Sequence, residues 1–143
     1  MSRLAALRNV YALKIHQSAK LLFVRACLLL FHFERSIRNG DFAAAYDQVR
    51  STRITELDPS SSGSVEQICH AVDLACVWYW KQVLCLQRSA VTCCLLKNAG
   101  IPARLVIGVR QLPFRAHAWV ESNGKIVNDR PYLREMYAVV DEC

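Results

Sequence analysis

Cys85 stands where a helical pattern begins, His117 lies within a β-rich run, and Asp129 closes the next one. A thiol at a helix start, a strand imidazole and a following acid are the parts of a nucleophile, its base and the group that orients the base. A helix N-terminus carries partial positive charge and free N–H groups. These favour thiolate over thiol and can bring a cysteine pKa from about 8.5 to roughly 3.5–7.5. The same N–H groups can hold an oxyanion, with the Cys85 backbone N–H as the natural first donor and Gln82 or Gln87 as candidates for a second. Arg88 is a candidate for substrate binding, with a structural ion pair as the alternative.

Other readings compete for the same residues. A cysteine in an apolar helix is ordinarily a small core residue, a lone strand histidine is ordinarily structural, and Asp129 can be no more than a turn residue. Cys93 and Cys94, two turns into the same helix, read as packing residues, and Trp78, Tyr79 and Trp80 read as core beside the sheet. The remaining histidines, His16, His32 and His70, have no metal-ligand spacing to one another. A zinc site from Cys69, His70 and Cys76 is the weaker alternative, because no C-x-x-C pair is present. No metal or cofactor is implied.

These side chains need elements to position them. Residues 2–38 contain neither Pro nor Gly, and apolar residues recur at three- and four-residue steps through Leu4, Leu7, Val10 and Tyr11, then Leu21, Val24 and Leu28. That pattern predicts amphipathic helices, the second ended by Asn39-Gly40 as a left-handed cap. Asp41 starts a short helix through Val49. Asp58-Pro-Ser-Ser-Ser-Gly-Ser64 is linker-like, and Ser64 with Gln67 forms a capping box for a helix from Val65 to about Trp80. A break near 81–84 precedes the helix that begins at Cys85 and ends at Gly100. The period then changes: strands are expected over 103–110, 115–121 and 125–129. The expected architecture is α+β, helices first and then an antiparallel sheet against the helix that begins at Cys85.

Hairpin register decides whether His117 can meet Asp129. If Asn123-Gly124 is a two-residue loop, Ser122 faces Lys125, His117 faces Arg130, and Asp129 points to the other side. If Ser122-Asn123-Gly124 is a three-residue loop with Gly124 in the left-handed bulge position, His117 faces Asp129. Glycine in the last loop position suits the second register.

Composition bounds the function. The 143 residues fit one domain, with hydrophobic content of 53% and charged content of 21% excluding disorder. The net charge of +6 is confined to residues 1–40, where Arg3, Arg8, Lys14, Lys20, Arg25, Arg35 and Arg38 face one acid, Glu34. The rest balances, which argues against a nucleic-acid binder built around a basic core. Seven cysteines form no disulfide framework, and the apolar run Leu21 to Phe33 is interrupted by Arg25 and too short to cross a bilayer. It is also a poor signal peptide. A reducing cytosol is expected.

The segments Cys85-Leu-Gln-Arg-Ser89, Leu95-Leu-Lys-Asn-Ala-Gly-Ile-Pro-Ala-Arg-Leu-Val-Ile-Gly-Val109, Pro113-Phe-Arg-Ala-His-Ala-Trp-Val-Glu121 and Val127-Asn-Asp129 closely resemble the leader peptidase, or B protein, of lasso peptide biosynthesis. The resemblance covers roughly residues 65–140. It implies a transglutaminase-like, papain-like cysteine protease core, with Cys85 as nucleophile, His117 as base and Asp129 as orienting acid. It divides the chain into basic N-terminal helices and linker (1–64) and a peptidase core (65–143). Some members of this family carry an N-terminal recognition domain with a β-hairpin. Residues 1–64 have no strand pattern, so the chain reads as the stand-alone peptidase. Such a peptidase takes a precursor peptide from a separate recognition protein, cuts at the leader–core junction, and passes the core to an ATP-dependent macrolactam synthetase. The alternatives are acyl transfer or deamidation on the same fold, or a non-catalytic adaptor. The basic helices read as a docking platform for the recognition protein and leader, the synthetase or an anionic membrane surface, against a merely solvated basic face.

Overall fold

The computed structural model describes residues 3–56 and 64–143, with side chains from Ala19 onward. The linker-like residues 58–63 and the side chains of Arg3, Arg8, Lys14 and His16 lie outside what it describes. Helix α1 spans Arg3–Arg38 as one continuous rod, where the apolar pattern suggested two helices. Nothing in residues 2–38 breaks it, and Gly40 at φ 75° closes it as expected. Asp41 caps α2 (Phe42–Ser51) by accepting the Ala44 N–H at 2.9 Å. The Ser64–Gln67 capping box forms and opens α3 (Val65–Trp78).

Helix α4 (Cys85–Asn98) starts at the cysteine and is buried along most of its length. Its side chains share one core with Ala26, Leu30 and Phe33 of α1, Ala45 and Val49 of α2, and Ile68, Val72 and Ala75 of α3. The buried face of α1 is therefore Ala26–Leu30–Phe33. The row Leu21, Val24, Leu28 chosen from periodicity is half or more exposed, together with Phe31. The helix carries two apolar rows, and the small Ala26 lets the other row approach α3 and α4 closely. Lys97, buried in α4, places its ammonium on the Val49 carbonyl at 3.1 Å, where a cation suits the C-terminal end of α2. Among the described residues no helix is long and apolar enough to cross a membrane.

The sheet has four antiparallel strands in the order β3-β2-β1-β4. Strand β1 (Arg104–Gln111) turns through Leu112 and cis-Pro113 into β2 (Phe114–Ser122), and β3 is only Lys125–Ile126. A short helix α5 (Leu133–Met136) then leads to β4 (Ala138–Glu142), which pairs with β1. One face of the sheet, with Leu105, Ala118 and Val120, joins the helical core. The other face, with Val106 and Trp119, is closed by Leu133, Ile126 and Tyr137. Helices gathered on an antiparallel sheet make the fold α+β, as expected.

The β2–β3 hairpin takes the two-residue loop. Ser122 pairs with Lys125 and Glu121 with Ile126, and Asn123 and Gly124 both have positive φ (50° and 74°), which a type I′ turn requires. The three-residue register that would have set His117 opposite Asp129 is not the one adopted. The strand expected to reach Asp129 stops at Ile126.

Candidate active site

His117 and Asp129 nevertheless meet: His117 Nε2 lies 2.8 Å from Asp129 Oδ2, both side chains about three-quarters buried. The route is local. Val127 N–H still donates to the Val120 carbonyl at 3.0 Å. The return bond of that ladder step is not made by the backbone. Instead the Val120 N–H donates to the side-chain Oδ1 of Asn128 at 2.7 Å, while the Val127 carbonyl accepts the Cys69 thiol at 3.4 Å. With the ladder ended by a side chain, the backbone peels away after Val127 and Asp129 swings back toward His117.

The second oxygen of Asp129 is engaged too, accepting the Arg130 N–H at 2.7 Å. A carboxylate held at both oxygens has a fixed direction. With Nε2–H donating to Asp129, the other ring nitrogen of His117, Nδ1, keeps its lone pair for a proton. The imidazole is walled by Trp119 (ring centroids 6.3 Å apart) and Tyr137 (5.6 Å). The Trp119 indole N–H donates to Glu121 at 2.9 Å, and Arg134 grips the same carboxylate at 2.6 and 2.8 Å. Arg134 thereby holds the Glu121 carboxyl below its ordinary range.

Cys85 is the first residue of α4, and the N-cap, Leu84, offers no side-chain acceptor to the first-turn N–H groups. Two contacts fix the direction of α4 along β2. Ser89, one turn into the helix, donates to the Ala118 carbonyl at 2.9 Å. Pro102, just past the helix end, accepts from Ser122 at 2.6 Å. The helix therefore runs parallel to β2. Cys85 lies one turn (about 5.4 Å) before Ser89, at the end of α4 that points toward the start of β2. The segment before Cys85 is anchored to α1, where Glu34 accepts from the Tyr79 hydroxyl and pairs with Lys81 at 2.6 Å.

Burial raises five of the other six thiols. It pushes Cys93 up to about 12 and Cys69 up to about 11, and raises Cys27, Cys76 and Cys94 as well. Cys93 and Cys94 are core residues, as expected.

The remaining candidates divide. Gln87 is buried, its amide donating to the Leu30 carbonyl at 2.8 Å and its carbonyl accepting the Leu84 N–H at 3.4 Å. It ties α4 to α1. Gln82 is exposed, three residues before Cys85. Arg88 forms the structural ion pair, two of its nitrogens on Asp73 Oδ1 at 3.0 and 2.6 Å. Trp78 and Trp80 do not fill the core; both are about three-quarters exposed, and only Tyr79 turns inward. Ser89, Asn128 and Tyr137 also stand around the pair, unanticipated from the sequence. Ser89, four residues after Cys85 and so on the same helical face, carried a signal that could have been read.

The profile of the Transglutaminase-like superfamily matches residues 27–142. The chain is also 43% identical over 58 residues to the microcin J25-processing protein McjB of Escherichia coli. That stretch covers 41% of this chain and 28% of McjB. No solved structure matches the chain.

Proposed function

Because the chain belongs to the transglutaminase-like superfamily, we propose that it is a cysteine peptidase that removes the leader from a ribosomally made lasso peptide precursor. The observation that carries this reading is the His117–Asp129 pair at 2.8 Å, together with a cysteine, Cys85, as the first residue of α4. The relation to a microcin-processing protein supports the substrate class.

In this reading His117 Nδ1 takes the Cys85 proton and the thiolate attacks the carbonyl at the leader–core junction. The oxyanion sits on the Cys85 backbone N–H, with Gln82 as the side-chain candidate. His117 then protonates the leaving amine, which departs as the free N-terminus of the core and leaves the leader as a thioester on Cys85. Water, deprotonated by His117, releases the leader acid and the thiol. Asp129 keeps the imidazole in the tautomer this needs.

The partners in this reading are a precursor-recognition protein that delivers the leader and a macrolactam synthetase that takes the core. The exposed row Leu21, Val24, Leu28, Phe31, flanked by Lys20, Arg25 and Arg35, supports α1 as the face that meets the recognition protein.

The test incubates precursor and a matched recognition protein with the wild-type chain or Cys85→Ala. Wild type should yield two fragments whose summed mass exceeds the precursor by one water, and Cys85→Ala should yield none. Cleavage that persists in Cys85→Ala sinks the assignment, and a product lacking the added water would favour acyl transfer.

A further inference from the structure

A second group of buried polar residues lies behind the histidine–aspartate pair. Asn128, 6% exposed, has both ends of its amide engaged. Oδ1 accepts the Val120 N–H at 2.7 Å, and Nδ2 donates to Ser89 Oγ at 3.0 Å. Ser89, 1% exposed, donates its own hydroxyl hydrogen bond to the Ala118 carbonyl at 2.9 Å. The chain Asn128–Ser89–Ala118 joins three elements at one point: the turn that carries Asp129, the first turn and a half of α4, and the residue of β2 next to His117.

Burying an amide and a hydroxyl is costly unless each finds a partner, and apolar residues would fill the same space with no such requirement. What the polar set adds is direction. The backbone ladder alone continues the register Ser122↔Lys125, Glu121↔Ile126. Continued two steps beyond Val127, it would turn the Asp129 side chain to the sheet face opposite His117. Asn128 Oδ1 takes the place of a backbone carbonyl at the step where the turn must begin.

We propose that Asn128, seconded by Ser89, is a positioning residue. It ends the β2–β3 ladder so that Asp129 reaches His117, and through Ser89 it sets the height of the Cys85 end of α4 against β2. Asn128 touches no reacting atom in this scheme; it acts through Asp129 and through α4. The proposal rests on the reading of Cys85, His117 and Asp129 as one site, but its structural half can be tested apart from turnover.

The substrate-free test is proton NMR of the ring N–H that His117 donates to Asp129, identified by its loss in His117→Gln. In the wild type it should be shielded from exchange. In Asn128→Ala it should broaden or vanish while circular dichroism and the folded fraction stay at wild-type level. Ser89→Ala, which leaves the Val120 bond in place, should keep the signal and weaken it less. Cleavage assays with precursor and recognition protein should follow: in Asn128→Ala kcat falls about 10- to 100-fold with KM within about two-fold, the pattern of a displaced catalytic group. Should Asn128→Ala fail to fold, Asn128→Ser and Ser89→Ala carry the comparison. A sharp, protected ring N–H in a folded Asn128 variant overturns the proposal, as does a loss of kcat no larger than the unfolded fraction. A wild type that shows the ring N–H but never cleaves would refute the peptidase reading instead.

Discussion

Gly108 lies directly across the β1–β2 ladder from His117, and a Cβ placed on it would stand 2.7 Å from Trp119 Cη2 and 2.9 Å from Tyr137 Cβ. The two aromatic side chains that wall the imidazole can close over β1 because this position has no side chain. Glycine costs a strand some stability, so its presence in the run Val106–Val109 marks a close approach.

Gly108→Ala should therefore push Trp119 and Tyr137 off the histidine. Neither contact is a flexible side-chain tip, so relief requires moving a buried indole. A loss of about 1–3 kcal/mol is expected from overpacking, with cleavage falling further than the folded fraction. Urea unfolding beside a cleavage assay checks both. An unchanged midpoint would mean that the aromatic wall has room for a methyl group.

Alkylation should discriminate among the thiols. Burial holds Cys93 near 12 and Cys69 near 11 and raises Cys27, Cys76 and Cys94, so those five offer little thiolate at neutral pH. Cys85, half-buried at a helix N-terminus without a side-chain cap, should be modified first, with loss of cleavage in step. Peptide mapping of iodoacetamide adducts at partial inactivation would show it. Inactivation that tracks Cys93 or Cys94 would mean another cysteine is the nucleophile.

Much of this arrangement could be read from residue types, and the exceptions share a physical cause. The cap at Asn39-Gly40, the Ser64–Gln67 box, the helix start at Cys85 and strands β1 and β2 follow from local chemistry, and each forms. Strand β4 could not be anticipated because all five of its residues are exposed, so an edge strand leaves no inside–outside alternation to detect. On α1 two apolar rows compete, and only the partner surfaces decide that Ala26, Leu30 and Phe33 go inward while Leu21, Val24 and Leu28 stay out. The hairpin register does not bring His117 to Asp129; the contact is reached through Asn128. A side chain substituting for a backbone acceptor leaves no periodic trace.

The exposed row on α1 yields a prediction about delivery. Leu28→Gln combined with Phe31→Gln changes two residues that are 66% and 55% exposed, so stability should move by no more than about 0.5 kcal/mol per site. Cleavage of precursor supplied with its recognition protein should slow markedly. Charge reversal at Arg25 and Arg35 should slow it most at low salt, because exposed charges are screened beyond about 10 Å at 0.1 M. Unaltered processing in both variants would return α1 to a solvated basic face.

Acid should loosen the wall of the site through Glu121. Its carboxylate, 5% exposed, accepts two hydrogen bonds from Arg134 and one from Trp119, and the Arg134 bonds hold its pKa below the ordinary 4.5. A carboxyl whose folded-state pKa is depressed stabilises the fold fully above the unfolded-state value and loses that contribution as pH falls through the folded-state value. The loss attributable to Glu121 should thus begin below about pH 4.5 and be absent at pH 6–8. Glu121→Gln keeps an acceptor for Trp119 but gives up the ionic half of the Arg134 pair. It should be less stable at pH 7 by about 1–3 kcal/mol, less than for a wholly buried pair because Arg134 is 47% exposed. Glu34, paired with Lys81, also titrates low, so wild type alone cannot isolate the effect. The difference between wild type and Glu121→Gln can: it should shrink as pH is taken from 6 to 3 in urea titrations. A difference that stays constant over that range would show that Glu121 stabilises by shape and not by charge.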